Sequence, residues 1–237
     1  MNINQQAPES RVRDNGENWT LDVHSVFSTI QGEGPFCGEP AVFVRLAGCN
    51  LQCPGCDTDY TNGRTAYDIE DIARLIESRK LETGSRTSLV VITGGEPFRQ
   101  QINPFVELLL SRGYKVQIET NGSMPLPQRF SSIPTIVCSP KTSKIHPSVA
   151  HRANAFKYVM RAGNVRPEDG LPLQALENVA TPYIARPPKH FKGKIYVQPM
   201  DEQDDELNRA NVLQVVDSCM KHDYTVQLQV HKYLGVE

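Results

Sequence analysis

The sequence predicts an α/β fold, an incomplete and modified (β/α) barrel with parallel strands. Three observations carry this. Short apolar runs alternate with helical segments along most of the chain. The polar and Gly/Pro-rich clusters GCN, TGGEP, ETNG, CSPK and QPMD each follow an apolar run. Such clusters fall at the carboxyl ends of strands, where parallel α/β folds gather ligand chemistry. Fewer than eight clear βα units can be drawn, so full closure of the barrel is not expected.

The elements follow in order. Residues 1–20 are a polar extension, expected to be mobile, and 21–237 form one core domain. AVFVRLA (41–47) reads as a buried strand. DIEDIARLIESRKL (68–81) places Ile69, Ile72, Leu75 and Ile76 on one helical face, with Asp68 as a cap. SLVVIT (88–93) is a strand that runs into Gly-Gly. NPFVELLLSRG (103–113) is a helix with Pro104 near its start and Gly113 beyond its end. YKVQIET (114–120), TIVCS (135–139), AFKYVM (155–160) and KIYVQPM (194–200) are further strands. A weak helical pattern lies between Gly170 and Ala180. Residues 204–221 read as a helix and YTVQLQV (224–230) as a last strand, which His231 follows.

Composition narrows the function. A formal net charge of -2 gives no basic footprint for nucleic acid. No apolar run approaches the length of a membrane span, and the polar N-terminus lacks the apolar core of a signal peptide. A cytoplasmic protein is therefore expected. There, six cysteines serve metal binding, catalysis or burial rather than disulfides.

Three of the six, Cys49, Cys53 and Cys56, crowd the stretch GCNLQCPGCDT. Thiolates suit zinc and iron–sulfur clusters. A structural zinc site needs four ligands, so Cys138 or a histidine would have to complete it. Three close cysteines after a strand also suit a [4Fe–4S] cluster with one iron left open. TGGEP (93–97) lies on the next strand end. QGEG (31–34) would otherwise be a solvated turn. Arg45 interrupts an apolar strand and needs an anionic partner: a core carboxylate such as Glu96 or Glu119, or a ligand.

The CxxxCxxC spacing resembles that of the radical S-adenosylmethionine enzymes, and TGGEP resembles their Gly-Gly-Glu-Pro turn. FSTIQGEGPFCGEPAVFVRLAGCN, CDTDYT, SPK and VQLQVHKYLGVE are together similar to the 7-carboxy-7-deazaguanine synthase family, over most of the chain from about residue 21. The resemblance implies a barrel of the radical S-adenosylmethionine type. It implies one [4Fe–4S] cluster per chain on Cys49, Cys53 and Cys56, S-adenosylmethionine on the open iron, and Mg2+ at Thr58. The implied reaction converts 6-carboxy-5,6,7,8-tetrahydropterin to 7-carboxy-7-deazaguanine with loss of ammonia, after a 5′-deoxyadenosyl radical takes the C6 hydrogen.

By the same resemblance, the pterin meets Ile30, Gln31, Gly32, Glu33, Arg45, Gly94, His231 and the terminal Glu237. S-adenosylmethionine meets Gly55, Cys56, Asp57, Glu96, Asn121, Ser139, Pro140, Lys141, Gln198, Pro199, Met200 and Asp201. Gly55 departs from the family, which carries a bulky or aromatic residue there beside the adenine. An external electron donor such as flavodoxin and a homodimer are implied as well. A glycyl-radical activase would need neither QGEG nor the histidine near the end. A zinc-stapled binding module is the reading outside the radical class.

Overall fold

The computed structural model describes residues 6–12, 19–53, 56, 58–60, 62–175 and 183–236. Nine strands form one sheet among these residues: β1 (Thr20–Ile30), β2 (Pro40–Leu46), β3 (Thr65–Asp68), β4 (Leu89–Gly94), β5 (Lys115–Thr120), β6 (Thr135–Cys138), β7 (Ala155–Met160), β8 (Lys194–Pro199) and β9 (Thr225–Val226). Their order is β3-β1-β2-β4-β5-β6-β7-β8-β9, and the two end strands do not pair, so the barrel is open. From β2 to β9 every pairing is parallel. Only β1 runs antiparallel, to β2 on one side and β3 on the other.

Among the described residues there are five α-helices, α1 (Ile69–Thr83), α2 (Asn103–Ser111), α3 (Pro147–Arg152), α4 (Asp205–His222) and α5 (Val230–Leu234), and two short 3-10 turns. Helix α1 starts where Asp68 accepts a hydrogen bond from the Glu70 amide, and it stops at Gly84, whose φ is 66°. Helix α4 is capped by Asp204, which accepts from the Glu206 and Leu207 amides. Pro104 sits in the first turn of α2, where a missing N–H costs nothing.

Strand alternation then divides the sheet into two faces. Val42, Val44, Leu46, Val90, Ile92, Ile118, Ile136 and Phe156 pack with Ile72, Ile76, Phe105 and Leu109 from the helices in one buried cluster. Each large apolar side chain buried there contributes ~1.5–3 kcal/mol. The alternate residues on the other face are Arg45, Thr93, Glu119, Lys157 and Val159, and they line a cavity. The same period of two therefore supplies both the core and a polar lumen.

Three expectations are corrected. Strand β1 and the short β3 were not foreseen. The last strand stops at Val226 instead of Val230, and His231 lies within α5. Residues 171–175 carry no helix, and 176–180 lie outside the described residues. The N-terminal extension is not wholly detached: the Glu9 amide donates to the Cys49 carbonyl at 2.7 Å.

The gap between β1 and β9 is bridged without a ladder. Residues 31–34 leave β1 and meet residues 227–230, which follow β9. Gln227 Oε1 accepts from the Gly34 amide at 2.6 Å, and Gln227 Nε2 and the Val230 amide both donate to the Gly32 carbonyl at 3.3 Å. This seam shuts the lumen on its open side.

Candidate active site

A cavity of about 1070 Å³ fills the lumen. One wall is the loop after β2. Cys49, Cys53, Cys56 and Thr58 all line it, so three thiols from one loop open on one cavity, although among the described residues they do not gather closely enough to form a metal-holding group. Burial pushes the Cys49 thiol up to about 12 and the Cys53 thiol up to about 11. Thiols shifted upward in this way lose their protons most readily to a bound metal, which takes up the thiolate charge. The Leu51 amide at 3.5 Å and the Asn121 side-chain amide at 4.0 Å donate to Cys49 Sγ. Donors to cluster sulfurs tune the potential of an iron–sulfur centre. The donor set fits a cluster with fewer than four protein ligands.

The TGGEP turn supports that loop by backbone contact. The Gly95 amide donates to Leu46 O at 3.1 Å and the Glu96 amide to Gly48 O at 3.0 Å. A Cβ on Gly94, whose φ is +128°, would lie 2.1 Å from Leu46 O, and one on Gly95 would lie 2.0 Å from Gly48 O. Only glycine fits this approach. Gly94 lines the cavity.

Glu96 does not line it. Its side chain is fully buried, and its carboxylate accepts from Thr120 Oγ1 at 2.7 Å, the Asn121 amide at 2.8 Å and the Phe98 amide at 3.0 Å. Burial raises its carboxyl to about 7, against the pull of those donors. The direct cofactor contact implied by the resemblance would require Glu96 to give up these partners. Asn121 does line the cavity, and its Nδ2 donates to Asn50 Oδ1 at 3.0 Å, tying β5 to the cysteine loop.

Two further strand ends complete this half. Ser139, Pro140 and Lys141 follow β6 and line the cavity, with Lys141 Nζ donating to Ser139 Oγ at 2.6 Å. Burial lowers the Lys141 ammonium, and the nearby Lys157 charge lowers it further. Gln198, Pro199, Met200 and Asp201 lie at the end of β8 and also line it. Asp201 accepts from Lys232 Nζ at 2.7 Å, and this bond chiefly holds its carboxyl near about 2.

The other half of the cavity is built from the seam. Ile30, Gln31, Glu33, Arg45 and His231 line it. Gln31 Nε2 donates to Glu119 Oε1 at 3.1 Å, and Gln31 Oε1 accepts from the Glu33 amide at 3.0 Å. Arg45 stacks over the Phe27 ring with 5.1 Å between Cζ and the centroid. Glu119 also accepts from Gln117 and Thr93. Gly32 does not line the cavity; a Cβ there would lie 1.9 Å from His231 Nδ1, so the glycine seats the histidine.

Sequence reasoning missed Lys157, Arg161 and Gln229 on this wall. Lys157 pairs with Glu33, whose carboxylate also accepts from Gln229 Nε2 at 3.0 Å and Gln198 Nε2 at 3.2 Å. Burial alone would raise the Glu33 carboxyl, but the Lys157 ammonium and the two amides outweigh it and hold it well below the carboxylate range. The signal was present: Lys157 interrupts AFKYVM as Arg45 interrupts AVFVRLA. Gly55, Asp57 and Glu237 lie outside the described residues. Cys138 is buried in the core cluster and Cys37 contacts the seam, donating to Gly32 O at 3.3 Å.

Comparison with known proteins bears on this geometry. The profile of the Radical SAM superfamily matches residues 44–135, which include the cysteine loop and the TGGEP turn. A 7-carboxy-7-deazaguanine synthase of Rhodospirillum rubrum is 39% identical over 96% of this chain and 97% of its own length. The chain belongs to the 7-carboxy-7-deazaguanine synthase family. Its Rickettsia prowazekii relative of the same name is 35% identical over 94% of this chain and 91% of its own. The crystal structure of QueE from Escherichia coli aligns with a TM-score of 0.67 at 24% identity, covering 91% of this chain and 99% of that one. That likeness bears on the fold: the open, mostly parallel barrel is shared. Membership of the 7-carboxy-7-deazaguanine synthase family sets aside the zinc-stapled module. No helix among the described residues is long and apolar enough to cross a membrane.

Proposed function

We propose that this chain is a radical S-adenosylmethionine lyase that converts 6-carboxy-5,6,7,8-tetrahydropterin to 7-carboxy-7-deazaguanine with loss of ammonia. The observation that carries the reading is a single cavity with two unlike halves. One half presents three cysteines, and the other presents a wall of paired charges and amides.

Cys49, Cys53 and Cys56 hold the [4Fe–4S] cluster. Asn121, Ser139–Lys141 and Gln198–Asp201 line the space beside it and take S-adenosylmethionine. Gly55 and Asp57, flanking Cys56, would join them. Bound there, the cluster and S-adenosylmethionine would supply the radical chemistry of the reaction. Glu96 acts through the turn and Asn121, which it fixes. Thr58 offers a hydroxyl to Mg2+, a cation that takes few protein ligands and keeps several waters.

The seam half orients the pterin. Gln31 is committed to Glu119 and the Glu33 amide, and for either carboxylate to accept from the N–H groups of a heterocycle edge one of its present donors must give way. A site of this kind rejects analogues that leave its buried polar groups unpaired. Arg45 presents a planar fork suited to a carboxylate, and His231 lines the same half of the cavity. Glu237 would close the same end. The seam covers one side of the lumen, where fewer waters would strengthen each polar contact. We place the protein in the cytoplasm, as a homodimer reduced by an external donor such as flavodoxin.

The test is anaerobic reconstitution with iron and sulfide, then incubation with S-adenosylmethionine, dithionite, magnesium and the pterin. Mass spectrometry should show 7-carboxy-7-deazaguanine. Formation of 5′-deoxyadenosine alone would leave the radical chemistry and overturn the substrate.

A further inference from the structure

The cysteine loop is held from inside by the TGGEP turn and Asn121, and from outside by a segment that precedes every motif carrying the family resemblance. We propose that residues 6–12 are a strap that positions the cluster-bearing loop, with Gln6 and Glu9 as its positioning residues. The inference rests on the cluster assignment of the preceding section.

The strap touches the loop mainly through backbone. Gln6 spans it like one rung of a ladder: Nε2 donates to Thr58 O at 3.2 Å, and Oε1 accepts from the Tyr60 amide at 3.0 Å. The Glu9 amide donates to Cys49 O at 2.7 Å. So the strap grips both ends of the cysteine run, at its first cysteine and just past its last. The Glu9 carboxylate pairs with Arg64 at 2.5 Å and with the buried Arg99 at 3.3 Å.

Arg99 carries the grip inward. Its Nη2 donates to Ala47 O at 3.0 Å and its Nη1 to Ser10 O at 3.3 Å, while the Val12 amide returns a bond to Arg99 O at 2.8 Å. A Cβ on Gly48, whose φ is +79°, would fall 2.5 Å from Arg99 Nη2. Gly48 is thus required twice, by its backbone and by the guanidinium. A loop without regular structure keeps three ligands in place only when its own backbone is held, and outer contacts of a metal site commonly govern retention of the metal.

The experiment compares the full-length protein with Gln6→Ala and the double variant Gln6→Ala/Glu9→Gln. All are loaded anaerobically with iron and sulfide. Iron release to a ferrous chelator, the KM values for S-adenosylmethionine and the pterin, and thermal melting before loading are read separately. The strap predicts iron release about tenfold faster and a raised KM for S-adenosylmethionine, with the KM for the pterin and the melting before loading close to the parent's. Release within twofold of the parent overturns it. So does a parallel loss in melting and in both KM values, which would mark a merely structural segment. Gln6→Ala alone, which removes no charge, decides the matter where the double variant folds poorly. A parent chain that takes up no cluster would instead overturn the assignment on which the strap rests.

Discussion

Lys157 and Glu33 form an ion pair inside the cavity wall, on strands and turns 124 residues apart in sequence. Their side chains are 12% and 10% exposed, so neither charge can be left to water. Lys157→Met should destabilise the fold by ~3–5 kcal/mol, because it strands a buried carboxylate. Lys157→Met/Glu33→Gln should recover most of that loss. Urea unfolding checks both, and equal losses in the single and double variants would refute the pairing. The sign with pH follows. Glu33 is depressed in the fold, so its contribution is present above about pH 4.5 and is lost as pH falls through the lower folded value. The double variant should lack this acid slope.

Glu96 behaves in the opposite sense. Its folded value is raised from 4.5 to about 7. The stability it allows is full below pH 4.5 and lost as pH rises through about 7, on the order of 3 kcal/mol. Glu96→Gln should flatten that decline. It should also lower the plateau by about 1–3 kcal/mol, because an amide cannot accept from all three of its donors. Chemical denaturation of the unloaded protein from pH 4.5 to 8 measures it. A decline that persists in Glu96→Gln would assign the slope to another group.

Two glycines should fail differently. Gly94→Ala meets the Leu46 backbone carbonyl at a φ of +128°, so it should cost about 3 kcal/mol or more and soften the whole fold. Gly32→Ala meets only the His231 ring, which can rotate away. It should leave melting within ~1 kcal/mol of the parent. Its effect should appear as a raised KM for the pterin with that for S-adenosylmethionine unchanged. An unaffected pterin KM would remove His231 from the substrate wall.

Cys53→Ala should bind little iron after reconstitution and form no 5′-deoxyadenosine. Cys53 is only half-buried in the loop and absent from the core cluster, so melting of the unloaded protein should stay near the parent's. Full cluster absorbance in this variant would contradict the ligand assignment.

Much of this architecture was legible because apolar runs such as VFV and LVVI fit only buried parallel strands. Arg45 stood out for the same reason. What the sequence hid is explained by exposure. Strand β1, TLDVHSVFSTI, is half-exposed and mixes polar with apolar residues, so its pattern is weak. The run YTVQLQV alternates well enough to suggest a strand through Val230. Its glutamines instead turn to the seam, where Gln227 and Gln229 bond Gly34 and Glu33, and the ladder stops at Val226. Lys157 interrupts AFKYVM as Arg45 interrupts AVFVRLA, but its partner Glu33 lies on a distant element, so the pairing itself left no mark in the sequence.

The seam has a bearing on synthesis. The Gly34 amide finds its acceptor 193 residues later, at Gln227. On a ribosome the cysteine loop emerges well before the segment that closes the lumen beside it. At ordinary elongation rates the interval is on the order of ten seconds. Throughout it, the thiols lie in an open trough accessible to oxygen and stray metal. The nascent chain therefore carries its most reactive groups unsheltered until Gln227 has emerged, and loading with iron is best timed after β9 has paired.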